Sequence, residues 1–166
     1  MSTHLYFQIE VGSPRGWWHF ARLRLSDDYL LFALLAGVRG EDVALPVAER
    51  GVPKGLPPGW AEVSLSEDSL SVDDEAAALE LPDTCTRAQA AQWVSEGVAW
   101  FLAAEGRVTH PDAFAHSWAS SAELRTVRDS YARRDGRDIT SIEAALALMA
   151  TWEHTGSESR CVFWFG

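Results

Sequence analysis

Leu5, Phe7, Ile9 and Val11 alternate with Tyr6, Gln8 and Glu10, the period of a strand with one buried face. Gly12 to Gly16 supplies turn chemistry, and Ala21, Leu23 and Leu25 then alternate with Arg22 and Arg24 along a returning strand, Trp17 to Leu25. Together these segments predict an N-terminal β-hairpin. Ser26, Asp27 and Asp28 offer capping oxygens to the apolar run from Tyr29 to Ala36, and Gly37 is placed to end that helix. The run is apolar nearly all round, so the helix is expected to be buried on most of its sides.

Residues 38–60 hold four Gly and four Pro and predict a long loop, a common place for function. Val63 and Leu65, then Leu70 and Val72, alternate with polar neighbours and predict one or two short strands within 61–83. Thr86 and Gln89 form a capping-box pattern that opens a helix running to Ala104, with Gly106 ending it. Residues 107–119 read as loop. Ser120 and Glu123 form a second such pattern, opening a helix with Leu124, Val127 and Tyr131 inward; Asp135-Gly136 is a turn. Thr140 and Glu143 form a third, and Ile142, Ala145, Leu146, Met149 and Trp152 give that helix its apolar face. Cys161 to Phe165 predicts a closing strand. The order implies an α+β fold, a single domain over 1–166. A small antiparallel or mixed sheet, the N-terminal hairpin plus the C-terminal strand, is covered by about four helices.

Length agrees: 166 residues make one ordinary domain. A hydrophobic content of 47% with 23% charged residues excludes disordered, collagen-like and coiled-coil classes. The net charge of −10 argues against duplex nucleic acid or an anionic membrane as partner. That charge is uneven, because residues 55–86 carry eight acids and no base. The stretch is either a solvated face or a patch that docks a basic host protein or mimics nucleic acid. Cys85 and Cys161, far apart and outside any CxxC, support neither a disulfide framework nor a zinc site. The first ten residues lack the basic and apolar regions of a signal peptide, and the longest apolar run is too short to span a bilayer. A cytoplasmic protein is expected.

Four segments occur in order: Asp28-Tyr-Leu-Leu-Phe-Ala-Leu-Leu-Ala-Gly-Val-Arg39, Pro53-Lys-Gly-Leu-Pro57, His116-Ser-Trp118 with Ser120 to Leu124, and Arg160-Cys-Val-Phe-Trp-Phe165. As a set they resemble a family of small proteins of phages and prophages. That family has an NYDLFALLAGVRN-like helix, a PRGLP loop, an HSHSWLTLxEL segment and a terminal VFWFDN strand. Lys54 stands where the family has Arg, His116-Ser117 replaces a doubled His-Ser, and Gly166 replaces the closing Asp-Asn. The resemblance implies phage origin and residence in the host cell's cytoplasm, and implies no particular chemistry.

The residues offer several chemistries. His110, Asp112 and His116 are weak candidates for a divalent metal, and through it for a metal-assisted hydrolase. Ser117, Ser120 and Ser121 lie beside His116 without a nucleophile elbow, so serine catalysis is not expected. Arg125 and Arg128 share a helix face and suit an anion, or else pair with acids on the surface. Lys54 lies in a Gly-rich loop without the phosphate-loop motif. Trp60 and Trp118 fall in segments read as loop, where an indole can stack on a ring. Arg39, Lys54, Trp60, His116, Trp118, Arg125 and Arg128 are therefore the expected ligand-binding residues. No cofactor and no catalytic set is expected. The function they suggest is non-catalytic sequestration of a small anionic ligand, a nucleotide-derived host-defence signal. The alternatives are a protein inhibitor or adaptor using residues 55–86, and the metal-assisted hydrolase.

Overall fold

The computed structural model describes residues 3–38, 50, 69–77, 79, 81–102, 106–134 and 136–166. The α+β class holds. In chain order the described elements are β1 (Leu5–Ser13), β2 (Gly16–Leu23), α1 (Tyr29–Ala36), β3 (Ser69–Val72), α2 (Asp74–Ala77), β4 (Thr84–Cys85) and α3 (Arg87–Ser95). Then follow β5 (Phe101–Leu102), β6 (Arg107–Thr109), β7 (Phe114–Ser120), α4 (Ser121–Ala132), α5 (Thr140–Glu153) and β8 (Ser159–Phe165). They fall into two compact units, residues 1–55 with 115–165 and residues 56–114.

The hairpin and the C-terminal strand join one sheet in the first unit, ordered β2-β1-β8-β7. β1 is antiparallel to both neighbours, and its register with β8 sorts the side chains by face. Leu5, Phe7 and Ile9 stand opposite Phe165, Phe163 and Cys161, all buried in the main core. Tyr6, Gln8 and Glu10 stand opposite Trp164, Val162 and Arg160 on the other face. Leu31, Phe32, Leu34 and Leu35 of α1 pack into the main core, as do Leu124 and Val127 of α4 and Ile142 and Met149 of α5. Each such side chain contributes about 1.5–3 kcal/mol on leaving water.

Local chemistry sets the helix ends. Asp28 accepts a hydrogen bond from the Leu30 amide at 2.8 Å, and Gly37 closes α1 at φ 69°, a left-handed conformation that suits glycine. The Ser120–Glu123 capping box forms as the sequence predicts. The Thr140–Glu143 box does not. Thr140 is already inside α5, and the Asp138 carboxylate accepts from its amide instead. Asp is as good an acceptor as Thr and lies two residues closer to the chain's entry.

A second four-stranded sheet, β4-β3-β6-β5, joins the predicted strand β3 to β5, whose pattern predicts helix, and β6, whose pattern predicts loop. β3 is parallel to β4 and antiparallel to β6, and β5 pairs with β6. Its core is small: Leu70, Cys85, Ala90, Ala99 and Val108, with Trp93, Val94 and Phe101 against it. The Thr86–Gln89 box forms, but α3 ends at Ser95 rather than reaching Ala104. Gly97 turns left-handed at φ 75°, the Val98 amide bonds back to the Trp93 carbonyl, and Phe101 enters a strand. Of the proposed strands in 61–83, β3 carries Leu70 and Val72, while Val63 and Leu65 lie outside the described residues.

Two acids of the 55–86 stretch have backbone duties. Asp73 accepts from the Glu75 and Ala76 amides at 2.9 and 3.1 Å, and Asp74 accepts from the Arg87 amide at 2.8 Å. Asp73→Ala is expected to cost about 1 kcal/mol, as lost caps do. The measurement is the urea midpoint, and an unchanged midpoint would return Asp73 to a solvated surface role.

Candidate functional site

The second face of the first sheet is polar and aromatic, yet buried. Glu10 and Arg160, directly opposite in register, form an ion pair with Nε–H donating to Oε2 at 2.7 Å. Both side chains are at most 5% exposed. Such a pair loses most of its hydration, so it survives only where other contacts offset that loss. Trp17 supplies one, with its ring centroid 4.0 Å from the Arg160 guanidinium carbon; the Trp118 ring lies at 5.8 Å. Burial pulls the Arg160 guanidinium below its usual range, and Glu10 works in the opposite direction. Along the same face Tyr6 stacks on Trp164 at 5.5 Å, and His116 stacks on Trp164 at 6.2 Å.

Trp17, Trp118 and Arg160 wall a groove of about 450 Å³, and Glu153, Glu158 and Ser159 join its lining. That volume falls in the range of small-molecule sites. Ser159 Oγ–H donates to Glu153 at 2.7 Å, which fixes one rim. Trp118 is held by Arg50. The Arg50 guanidinium lies 4.2 Å from the Trp118 ring centroid and donates to the Trp118 carbonyl at 3.3 Å. Its two terminal nitrogens also donate to the Glu123 carboxylate at 3.1 and 2.6 Å. Burial pushes that carboxyl up, but hydrogen bonds from Arg50 and Ser120 outweigh it and leave Glu123 below its usual range.

Of the four described residues among those expected from sequence, the groove contains Trp118. It lies in β7, not in a loop, two residues from the capping Ser120. His116 also lies in β7 and is 2% exposed, so it is part of the face and not a groove wall. Arg125 and Arg128 face carboxylates: Arg125 is 4.0 Å from Glu153, while Arg128 donates to Asp129 at 2.7 Å and to Glu143. Neither lines the groove. Arg39, Lys54 and Trp60 lie outside the described residues.

The metal reading finds no support in this geometry. Among the described residues no three His, Cys, Asp or Glu gather as a metal site. His110 accepts from the Asp112 amide at 3.1 Å in a turn, which fixes that turn, while the His116 ring lies against Trp164. Cys161 is equally unsuited to nucleophilic chemistry. Burial pushes its thiol up to about 12, and it donates to the Ala119 carbonyl at 3.4 Å. Trp17, Arg50 and Arg160 escape sequence reasoning. The available signal for Arg160 was the strand period itself, which places it with Glu10 on the face opposite the core.

His116 makes the site's burial measurable. Desolvation lowers its pKa to about 4, so the unfolded chain takes up the proton first. Stability is then full above pH 6.5 and lost as pH falls towards 4, by about 3 kcal/mol at most. Urea unfolding at pH 7.5 and pH 4.5 is expected to show a weaker pH dependence in His116→Gln than in the wild type. Equal dependence would place His116 in water. No protein-family model, curated protein or solved structure matches the chain, so its functional reading rests on this groove.

Proposed function

We propose that the protein is a non-catalytic binding protein that holds a planar ligand in the groove walled by Trp17, Arg160 and Trp118. The observation that carries this reading is the pair of indoles flanking one buried guanidinium beside about 450 Å³ of open space. An indole offers a flat apolar surface on which any aromatic ring can stack, worth roughly 1–3 kcal/mol per ring. Arg50 and the Glu10–Arg160 pair hold these walls in place before a ligand arrives, which reduces the ordering cost of binding. The buried His116 and the high-pKa Cys161 are poor acid–base or nucleophilic groups at neutral pH, which favours binding over catalysis.

The resemblance to phage proteins makes sequestration of a host-defence signal in the host cytoplasm the setting that suits such a binder. A nucleotide-derived signal supplies the ring. Its phosphates do not suit this groove, where Glu153 and Glu158 line the wall and Arg160 is already matched by Glu10. The base is thus the part that the groove recognises. No helix among the described residues is long and apolar enough to cross a membrane.

The test is titration of tryptophan fluorescence with nucleosides, in the wild type and in Trp118→Ala. Loss of one stacking surface is expected to weaken binding by one to two orders of magnitude. Thermal unfolding of the variant checks that the sheet persists. If the wild type shows no fluorescence change with any nucleoside at millimolar concentration, the groove is not a site for this ligand class.

A further inference from the structure

The charges around the groove do not balance. Among the described residues each arginine beside it already has a carboxylate: Arg160 meets Glu10 at 2.7 Å, Arg50 meets Glu123 at 2.6 Å, and Arg125 lies 4.0 Å from Glu153. Glu158 is left over. It lines the groove and is exposed, and its carboxylate has no ion-pair or hydrogen-bond partner among the described residues. Its backbone is held, because its carbonyl accepts from the Gly12 amide at 2.8 Å. A second cavity of about 290 Å³, lined by Gly12, Ser13 and Gly156, shares Trp17, Ser157 and Glu158 with the groove. Open space therefore reaches Glu158 from both cavities, whereas the Arg160 side chain is only 5% exposed. We propose that the ligand is a planar ring carrying a positive charge, which stacks against the indoles of the groove with Glu158 as its counter-charge. The proposal rests on the groove being the binding site and specifies the charge of its occupant.

Two properties of the walls select a cation. Indole faces attract positive charge, and this fold already uses them in that way, with the Arg160 guanidinium 4.0 Å from the Trp17 centroid and that of Arg50 4.2 Å from Trp118. Glu10 and Glu123 match those two guanidinium groups, so the arginines leave no net positive field in the groove. The second property is the surplus carboxylate. An anion would meet Glu153 and Glu158 along the lining, and like charges disfavour it. A neutral ring incurs no repulsion, but it displaces water from Glu158 without matching the charge. A cationic ring matches that charge and stacks on indole more strongly than its neutral counterpart. The chain's net charge of −10 adds a longer-range attraction that salt screens.

The isomers 1-methyladenosine and N6-methyladenosine share a purine ring, a ribose and a methyl group, and only the first is a cation at neutral pH. Fluorescence titration of the intact protein is expected to rank 1-methyladenosine tighter by at least about tenfold. Raising the salt concentration about tenfold is expected to shrink that preference by weakening the cation alone. Glu158→Gln removes the charge and keeps the carbonyl that holds Gly12. It is expected to reduce the preference by at least about threefold, with little change for N6-methyladenosine. Asp112→Asn removes an equal charge from a side chain that is 91% exposed and outside the groove lining, and is expected to retain the full preference. The salt series needs no variant, so it tests the charge of the occupant even if Glu158→Gln does not fold. Equal binding of the two isomers by the wild type, a preference indifferent to salt, or one that survives Glu158→Gln intact or vanishes in Asp112→Asn overturns the cation proposal and leaves the groove a ring-binding site. Absence of binding by both isomers and by adenosine overturns the groove reading itself, and the cation proposal with it.

Discussion

A buried ion pair on the far face of a small sheet is the constraint that organises the first unit. Glu10 and Arg160 are 150 residues apart in sequence and directly opposite in the β1–β8 register. A slip of one residue in that pairing would carry Arg160 to the core face, among Phe7, Ile9 and Phe163. The pair therefore opposes register error alongside the hydrophobic face.

The same pair explains the aromatic character of the face. A guanidinium that loses water is best covered by surfaces that tolerate its charge, and indole rings do so. Trp17 packs on Arg160, and its indole also lies within 3.4 Å of where a side chain at position 12 would begin. A side chain at position 12 would also begin 3.3 Å from Glu158 Cβ, so its neighbours would have to give by a few tenths of an ångström. Trp17 and Trp118, which lie over the Arg160 guanidinium, also line the groove.

The helices follow a simpler logic. Apolar stripes on α1, α4 and α5 cover one face of the sheet, and Arg128 and Arg137 tie their polar sides through Glu143 and Asp28. These surface pairs contribute little stability individually. The Glu143 pair occupies Arg128, one of the arginines that the sequence suggests for an anion.

The sequence by itself determined what depends on local periodicity and capping. The hairpin, the closing strand, α1 with its Asp28 and Gly37 ends, and the start of α3 and α4 all follow from residues within a few positions of one another. The α+β class follows from their order. Strand β7 was not legible in this way, because Phe114, His116 and Trp118 alternate with Ala115, Ser117 and Ala119 by size and not by polarity. His116 and Ser117 are both buried, His116 against Trp164, so the usual contrast is missing. The early end of α3 and the strand at Phe101 are likewise settled by pairing with Val108 and Arg107. Of the site, only Trp118 was visible beforehand. Arg160 became a wall of the groove through Glu10 and Trp17, and that partnership is made by sheet register across the whole chain, which no local pattern encodes.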